Sequence, residues 1–275
     1  MHSLKTLSAT SAVAFAALGV VQLTSTASAQ TVSVTVENLQ PAGGVSLTPF
    51  WLGLHDGTFD SYDGGSLLNP EFAFLESLAE LGLTDDISAA FAASNPEGVD
   101  TTLASGNAVP VFSPGDSATF DFVVDDPTQQ RFFSYASMVV PSNDLFVANG
   151  NPLANEVFDA AGNFTGPFTI ELFGSSINDA GTELNDVFDG PAFVINQPGP
   201  GGTPQNQVVT NYFDLEPEGD YLQTLVGIVT PVGTVTSVPG EFDLIGRITV
   251  VPEPGTAGAL AAAAGLTLLR RRRGA

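Results

Sequence analysis

Short apolar segments separated by glycine and proline run through the chain, and they restrict its fold more than any other feature. The sequence contains 29 Gly and 19 Pro, and proline interrupts helices and the interior strands of sheets. Residues 31–37 alternate polar and apolar side chains, which is typical of a strand with one buried face. We therefore predict an all-β protein, an antiparallel β-sandwich with one or two small inserted helices.

Patterns of the same kind predict the other elements. Apolar or alternating runs predict strands at residues 50–54, 117–124, 132–140, 168–173, 225–230 and 241–250. Helical spacing of apolar residues predicts a helix that begins at Asn69 and Pro70, with Asn69 as its cap, and a second helix at 85–93. Residues 197–207 are rich in proline and glycine and predict a long surface loop.

The balance of charge excludes one class of partner. The formal net charge is -23, and between residues 30 and 250 only Arg131 and Arg247 are basic. A protein that binds nucleic acid needs a basic face for the phosphates, so we exclude a nucleic-acid partner. Cations, basic proteins and neutral molecules are the partners that such an acidic chain favours.

The residue types also restrict the chemistry. The sequence has no Cys, and residues 30–250 contain no Lys and a single His, His55. Thiol nucleophiles, Schiff bases and phosphate-binding loops with a lysine are therefore excluded. His55, Asp56 and Gly57 form a turn-like sequence, so we assign His55 a structural role in preference to a metal-binding or catalytic one. Carboxylates remain, and they suit either a hard cation such as calcium or a glycosidase-type acid pair.

Both ends of the chain carry targeting signals. Residues 1–29 combine Lys5, an apolar stretch and Ala27-Ser28-Ala29, the pattern that signal peptidase cleaves. Residues 251–275 combine a Pro-Glu-Pro triplet, an apolar run at 255–269 and an arginine cluster at 270–273. This order resembles the bacterial PEP-CTERM sorting tail, which implies processing by an exosortase after transient membrane anchoring through the apolar segment. We therefore predict a signal peptide (1–29), a folded domain (30–250) and a sorting tail (251–275), with export to the cell surface or the medium.

Several blocks of the domain resemble a known family. In chain order they are VTVENL at 34–39, LTPF at 47–50, HDGTFD at 55–60, LESLAE at 75–80, SPGDSATF at 113–120, ASMVVPSND at 136–144, DAGTELND at 179–186 and FDLIGRITV at 242–250. These blocks are similar to the spondin N-terminal domain, which occurs in the extracellular matrix protein F-spondin and in secreted bacterial proteins. The resemblance implies a β-sandwich similar to C2 domains.

The resemblance also implies that a calcium ion is bound by Asp144, Asp179 and Glu183. Animal members tend to have Asp at the third position, so Glu183 is one methylene longer here. Calcium takes six to eight oxygen ligands, and Gly181 allows the backbone between Asp179 and Glu183 to curl. The residues alone leave open that these acids cap turns or face solvent.

We therefore predict a non-enzymatic, exported calcium-binding domain that serves adhesion, extracellular matrix or biofilm organisation by binding a glycan or protein of the surface or matrix. Two alternatives remain open. One is a carbohydrate-binding module, which a row of exposed aromatic side chains would favour. The other is a glycan-active enzyme that uses two carboxylates.

Overall fold

The computed structural model describes residues 30–196, 201–216 and 219–253. The predicted signal peptide (1–29), residues 254–275 of the predicted sorting tail and residues 197–200 of the predicted loop lie outside these ranges. Within them, no helix has both the length and the apolar character needed to cross a membrane. The described protein consists mostly of β-strands, which pair antiparallel.

The elements are numbered in chain order. The strands are β1 (Gln30–Asn38), β2 (Ser46–Leu47), β3 (Phe50–His55), β4 (Val99–Leu103), β5 (Ser117–Val124), β6 (Phe132–Val140), β7 (Leu145–Ala148), β8 (Phe168–Phe173), β9 (Asn178–Asp179), β10 (Thr210–Asn211), β11 (Val229–Thr230), β12 (Gly233–Thr234) and β13 (Leu244–Pro252). The helices are α1 (Glu76–Leu81), α2 (Asp85–Ser94), α3 (Tyr212–Leu215) and α4 (Asp220–Thr224), and 3₁₀ turns occur at Ala73–Leu75 and Gly174–Ser176.

Two larger sheets share one apolar core. In the described residues, β5, β1, β13 and β8 form one sheet in that order, and β10, β9, β7, β6, β3 and β4 form the other, with β2 joined to β6. Alternation along β1 buries Val34 and Val36 and leaves Thr35 and Glu37 half-exposed. The cluster around Val34 also contains side chains from β3, β6 and β7 of the second sheet. Because each buried Val, Leu or Phe contributes about 1.5–3 kcal/mol, this shared core holds the sheets together.

Helices α1 and α2 cover the other side of the second sheet. Leu78 of α1 and Phe91 of α2 join Trp51 in a second buried cluster. Strand β6 is buried at every position, because side chains such as Phe133 contact the first cluster and side chains such as Ala136 contact the second. A strand buried on both faces does not alternate between polar and apolar residues. The two serines of β6, Ser134 and Ser137, are buried and hydrogen-bonded.

Most of the element predictions are confirmed. Strands β1, β3, β5, β6 and β8 match the predicted segments, and α2 matches the helix predicted at 85–93. Strand β13 begins at Leu244 and continues through Val251 and Pro252, which lies opposite Val32. The first two residues of the predicted sorting tail therefore belong to this strand.

Two predictions are wrong. Asn69 does not cap a helix, because the first helical turn begins only at Ala73 and Asn69 donates its side-chain amide to the Glu76 carboxylate. Residues 225–230 do not form one strand. Leu225 ends helix α4, Gly227 has a φ of +96°, and only Val229–Thr230 is extended. The left-handed backbone at Gly227 interrupts the apolar run and turns the chain.

Candidate metal centre

Sheet register brings two of the predicted ligands together. Strands β6 and β7 form a hairpin, and Asp144 is the last residue of its turn, directly before Leu145. Strand β9 pairs with β7 so that Asp179 lies opposite Leu145. Asp179 is therefore the cross-strand neighbour of the residue after Asp144. Both side chains are buried, with exposed fractions of 0% for Asp144 and 5% for Asp179, so neither faces solvent.

The loop that follows Asp179 closes around the Asp144 carboxylate. Gly181 has a φ of +69°, a left-handed conformation that produces the backbone curl expected between Asp179 and Glu183. This turn allows the backbone N–H groups of Thr182 and Glu183 to donate to Oδ2 of Asp144 at 2.8 and 3.0 Å. The Gly181 N–H donates to Oδ1 of Asp179 at 2.8 Å. One short segment therefore orients both carboxylates.

Asp144 has one oxygen with no partner among the described residues. Its Oδ2 accepts the two backbone hydrogen bonds, but its Oδ1 is buried and accepts none. Buried carboxylate oxygens are normally hydrogen-bonded or bound to a cation, because an ion without a partner in the interior is costly. The missing partner is thus the main irregularity of this site.

Burial and neighbouring negative charges disfavour the ionised form of both aspartates. Burial raises the pKa of Asp144, and the nearby Asp179 carboxylate raises it further. Burial also raises the pKa of Asp179, and the charge of Glu216 adds to this effect. A cation between such carboxylates would remove both penalties and favour their ionised forms.

Glu183 is buried in the same region, but its carboxylate has other partners. Its Oε1 accepts from the Gly202 N–H at 2.7 Å, and its Oε2 lies 3.4 Å from Nδ2 of Asn143. Among the residues that the structure describes, no three acidic or histidine side chains form a group that could hold a metal ion. The structure therefore brings Asp144 and Asp179 together and holds the side chain of Glu183 against Asn143 and Gly202.

Residues of the predicted surface loop extend this region. The N–H of Gln205 donates to the Thr182 carbonyl at 2.6 Å, and the N–H of Gln207 donates to the Gly181 carbonyl at 2.8 Å. This part of the predicted loop therefore packs against the segment that orients the aspartates. Glycine and proline content alone could not reveal that pairing.

Asn143 and Tyr221 support the turn before Asp144, and neither was predicted. Asn143 is fully buried, and its Nδ2 donates to the Asp189 carbonyl at 2.8 Å. Its Oδ1 accepts from the Tyr221 hydroxyl at 2.6 Å and from the Asp186 N–H at 3.1 Å. Asn143 stands beside Asp144 in a conspicuous sequence block, whereas nothing in the sequence around Tyr221 signals this contact.

Asn185 connects the aspartates to solvent. Its Nδ2 donates to Oδ2 of Asp179 at 2.7 Å, and its Oδ1 is buried without a partner in the described structure. A cleft of about 420 Å³ is lined by Asp179, Asn185, Glu216 and the apolar Leu215, among others. The site is therefore buried at Asp144 and open on the side of Asn185.

The oxygen atoms of this site are of the type that binds a hard cation. The carboxylate oxygens of Asp144 and Asp179 are ligands of the kind that calcium prefers, and Asn185, which contacts Asp179, also carries an amide oxygen. Both arginines of the described residues pair elsewhere, Arg131 with Glu156 and Arg247 with Glu37 and Glu171. Because no basic side chain neutralises the aspartates, the unpartnered Oδ1 of Asp144 is the position at which a cation would relieve the repulsion.

His55 and the exposed aromatic side chains do not form a second candidate site among the described residues. His55 is fully buried, its Nδ1 accepts from the Gly57 N–H at 3.0 Å, and its Nε2 lies 2.9 Å from Oγ of Ser134. The Gly57 contact is the turn interaction that the sequence predicts. In the described chain, the mostly exposed aromatic side chains are Phe188 and Phe242, which lie on separate loops and form no row.

A scan against protein-family models and a search of the curated proteins find no match for this chain. The case for a metal centre therefore depends on the residues themselves. Its strongest element is the unpartnered oxygen of Asp144 beside the carboxylate of Asp179.

Proposed function

We propose that the chain is an exported, calcium-binding domain of the spondin type that acts at the cell surface by binding and not by catalysis. Its two sheets would form a C2-like β-sandwich, and the ion would be held by Asp144 and Asp179 at the end of the β6–β7 hairpin. Its role would be adhesion, matrix or biofilm organisation through a glycan or protein of the surface.

The buried Oδ1 of Asp144, which has no partner in the described structure, carries this proposal. Two carboxylates buried side by side would be expensive without a counter-ion. The backbone N–H groups of Thr182 and Glu183 both donate to the other oxygen, Oδ2. Oδ1 is therefore available to a different partner. A divalent cation supplies what this oxygen lacks.

The remaining chemistry supports binding over turnover. His55 is buried with hydrogen bonds at both ring nitrogens, and Asp144 is fully enclosed. A glycosidase needs both of its carboxylates in contact with the substrate. The enclosed Asp144 suits an ion better than a sugar ring.

Glu183 supports the site through the loop in this proposal. Its backbone N–H holds Asp144, while its carboxylate anchors Gly202. The family resemblance implies a ligand at this position, where both carboxylate oxygens already face hydrogen-bond donors of Gly202 and Asn143.

Calcium titration of wild type and matched variants tests the proposal. At 100 times the dissociation constant, a ligand that binds only the folded state adds about 2.7 kcal/mol to the free energy of unfolding. Asp144→Asn and Asp179→Asn should each lose this gain. Without calcium, both variants should be as stable as wild type or more stable, because the repulsion between two buried charges is removed.

Asp125→Asn is the matched control, because Asp125 is exposed and lies at the end of β5. It should keep the full calcium-dependent gain. An equal gain in wild type, Asp144→Asn and Asp179→Asn would mean that calcium only screens the general negative charge, and the proposed site would then be wrong.

A further inference from the structure

Asn185 has an amide oxygen that is buried and accepts no hydrogen bond from any described residue. At the other end of the same amide, Nδ2 donates to Oδ2 of Asp179 at 2.7 Å. Buried amide oxygens are nearly always hydrogen-bonded, and one without a donor loses free energy relative to water. The orientation of this amide therefore needs an explanation.

The charge of Asp179 explains the orientation of the Asn185 amide. One oxygen of that carboxylate already accepts from the Gly181 N–H, and the other faces Asn185. If the amide were turned round, its oxygen would lie against a carboxylate oxygen, and the two would repel each other. The N–H₂ end therefore faces Asp179, although this leaves Oδ1 of Asn185 without a donor.

A cation on Asp179 would reverse this preference. Positive charge repels the N–H₂ end of an amide and attracts its carbonyl oxygen, and asparagine carbonyl oxygens are regular calcium ligands. We propose that Asn185 is a further ligand of the calcium site, and that its amide changes from a hydrogen-bond donor to Asp179 into an oxygen ligand when the ion binds. This inference rests on the proposed function, because it concerns the same ion.

The position of Asn185 supports this role. It lines the cleft of about 420 Å³ that contains Asp179, and it also lines a second cleft of about 510 Å³ beside Tyr221. Glu216 is the other residue shared by both clefts. Asp144 is fully buried, whereas Asn185 lines both clefts, so Asn185 lies on a side of the site that faces solvent.

A ligand and a positioning residue differ in how they respond to Asn185→Asp. A positioning residue acts only through its N–H₂ donor, which aspartate lacks, so the substitution would weaken calcium binding. A ligand acts through its oxygen, which aspartate keeps and to which it adds charge. The substitution would then preserve or increase calcium affinity.

Calorimetric titration of calcium chloride into the chelator-treated full-length protein measures this difference. Asn185→Leu should weaken binding by about tenfold or more, the scale at which the surroundings of a metal affect affinity. Asn185→Asp should bind at least as tightly as wild type. The controls are Asn107→Leu and Asn107→Asp, because Nδ2 of Asn107 makes the same kind of contact at 2.9 Å with Oδ2 of Asp116 on the surface. Both controls should keep wild-type affinity.

A second measurement covers the case in which a variant folds poorly. In wild type, the side-chain N–H₂ resonances of Asn185 should shift on calcium addition, as the hydrogen bond to Asp179 is lost. Unchanged resonances, unchanged affinity in Asn185→Leu, or weakened affinity in Asn185→Asp would each overturn this inference while leaving calcium binding by Asp144 and Asp179 intact. An absence of calcium binding in wild type would overturn both the inference and the proposed function.

Discussion

The hydroxyl group of Tyr221 donates a hydrogen bond to Oδ1 of Asn143 at 2.6 Å and accepts one from the Asn143 backbone N–H at 3.1 Å. Tyr221 thus connects helix α4 to the turn that presents Asp144. The two residues stand far apart in the sequence, so this contact forms only when the fold is complete.

Tyr221→Phe should lower the free energy of unfolding by about 1–3 kcal/mol, because it leaves the buried N–H of Asn143 without an acceptor. Urea denaturation measures the change. The control is Tyr135→Phe, since the Tyr135 hydroxyl makes no hydrogen bond to a described residue. That variant should change stability by less than about 0.5 kcal/mol. Equal losses in the two variants would show that Tyr221 contributes only its ring.

Gly181→Ala should disturb the site in two ways, by a steric clash and by strain in the left-handed backbone. An alanine Cβ at this position would lie 2.7 Å from the carbonyl oxygen of Gln207, which cannot rotate away. Gly65 has a similar positive φ of +83° but open space around it. Gly65→Ala should cost about 1–2 kcal/mol, the usual penalty for a left-handed alanine.

The loss in Gly181→Ala should exceed this by at least about 1 kcal/mol, because either the loop at Gln207 or the segment after Asp179 must move. Thermal unfolding compares the two variants. If their losses match, the loop yields freely and the contact between Gly181 and Gln207 does not constrain the aspartates.

The sequence alone predicted those elements whose local residue pattern matches their burial or backbone conformation in the fold. Alternation identified β1 and β5, because side-chain period and burial coincide in these strands. The mostly apolar segment at 132–140 identified β6, which is buried at every position. The backbone curl at Gly181 was predictable for the same reason, since one residue type and one conformation correspond.

The rest depends on contacts between distant segments. The apolar run at 225–230 is similar to that of a strand, and only the structure shows that α4 ends directly before it and that the chain turns at Gly227. The pairing of Gln205 with Thr182, the contact between Tyr221 and Asn143, and the burial of Asp144 all arise from chain segments meeting in space. The sequence named the aspartates through a family resemblance, but it could not show which of their oxygens lack partners.

The mature protein should begin at Gln30 and lack the arginine cluster at 270–273. The reason is the pairing of a signal peptidase pattern at Ala27-Ser28-Ala29 with the predicted sorting tail. Intact-mass analysis of protein from the surface of the native host measures both ends. Detection of Met1 or Arg273 in the surface form would contradict the predicted processing.

His55 should make the protein less stable in mild acid. Burial lowers the pKa of His55 to about 4, with a smaller opposing effect from Asp56. In the unfolded chain its pKa is about 6.5, so between these values the unfolded state binds a proton that the folded state does not. The free energy of unfolding therefore falls as the pH falls through this window, and the contribution at pH 5 is a loss of about 2 kcal/mol relative to pH 7.

The comparison with His55→Asn isolates this contribution, because the variant cannot gain a proton at that position while the carboxylates remain the same. Urea denaturation at pH 7 and pH 5 should show that wild type loses about 2 kcal/mol more than the variant over this interval. At pH 7 the variant should itself be less stable, since the contact from the imidazole to Ser134 is lost. Equal pH dependence in both proteins would mean that the imidazole of folded wild type is protonated at pH 5. The burial of His55 and the hydrogen bond that its Nδ1 accepts from Gly57 predict the opposite.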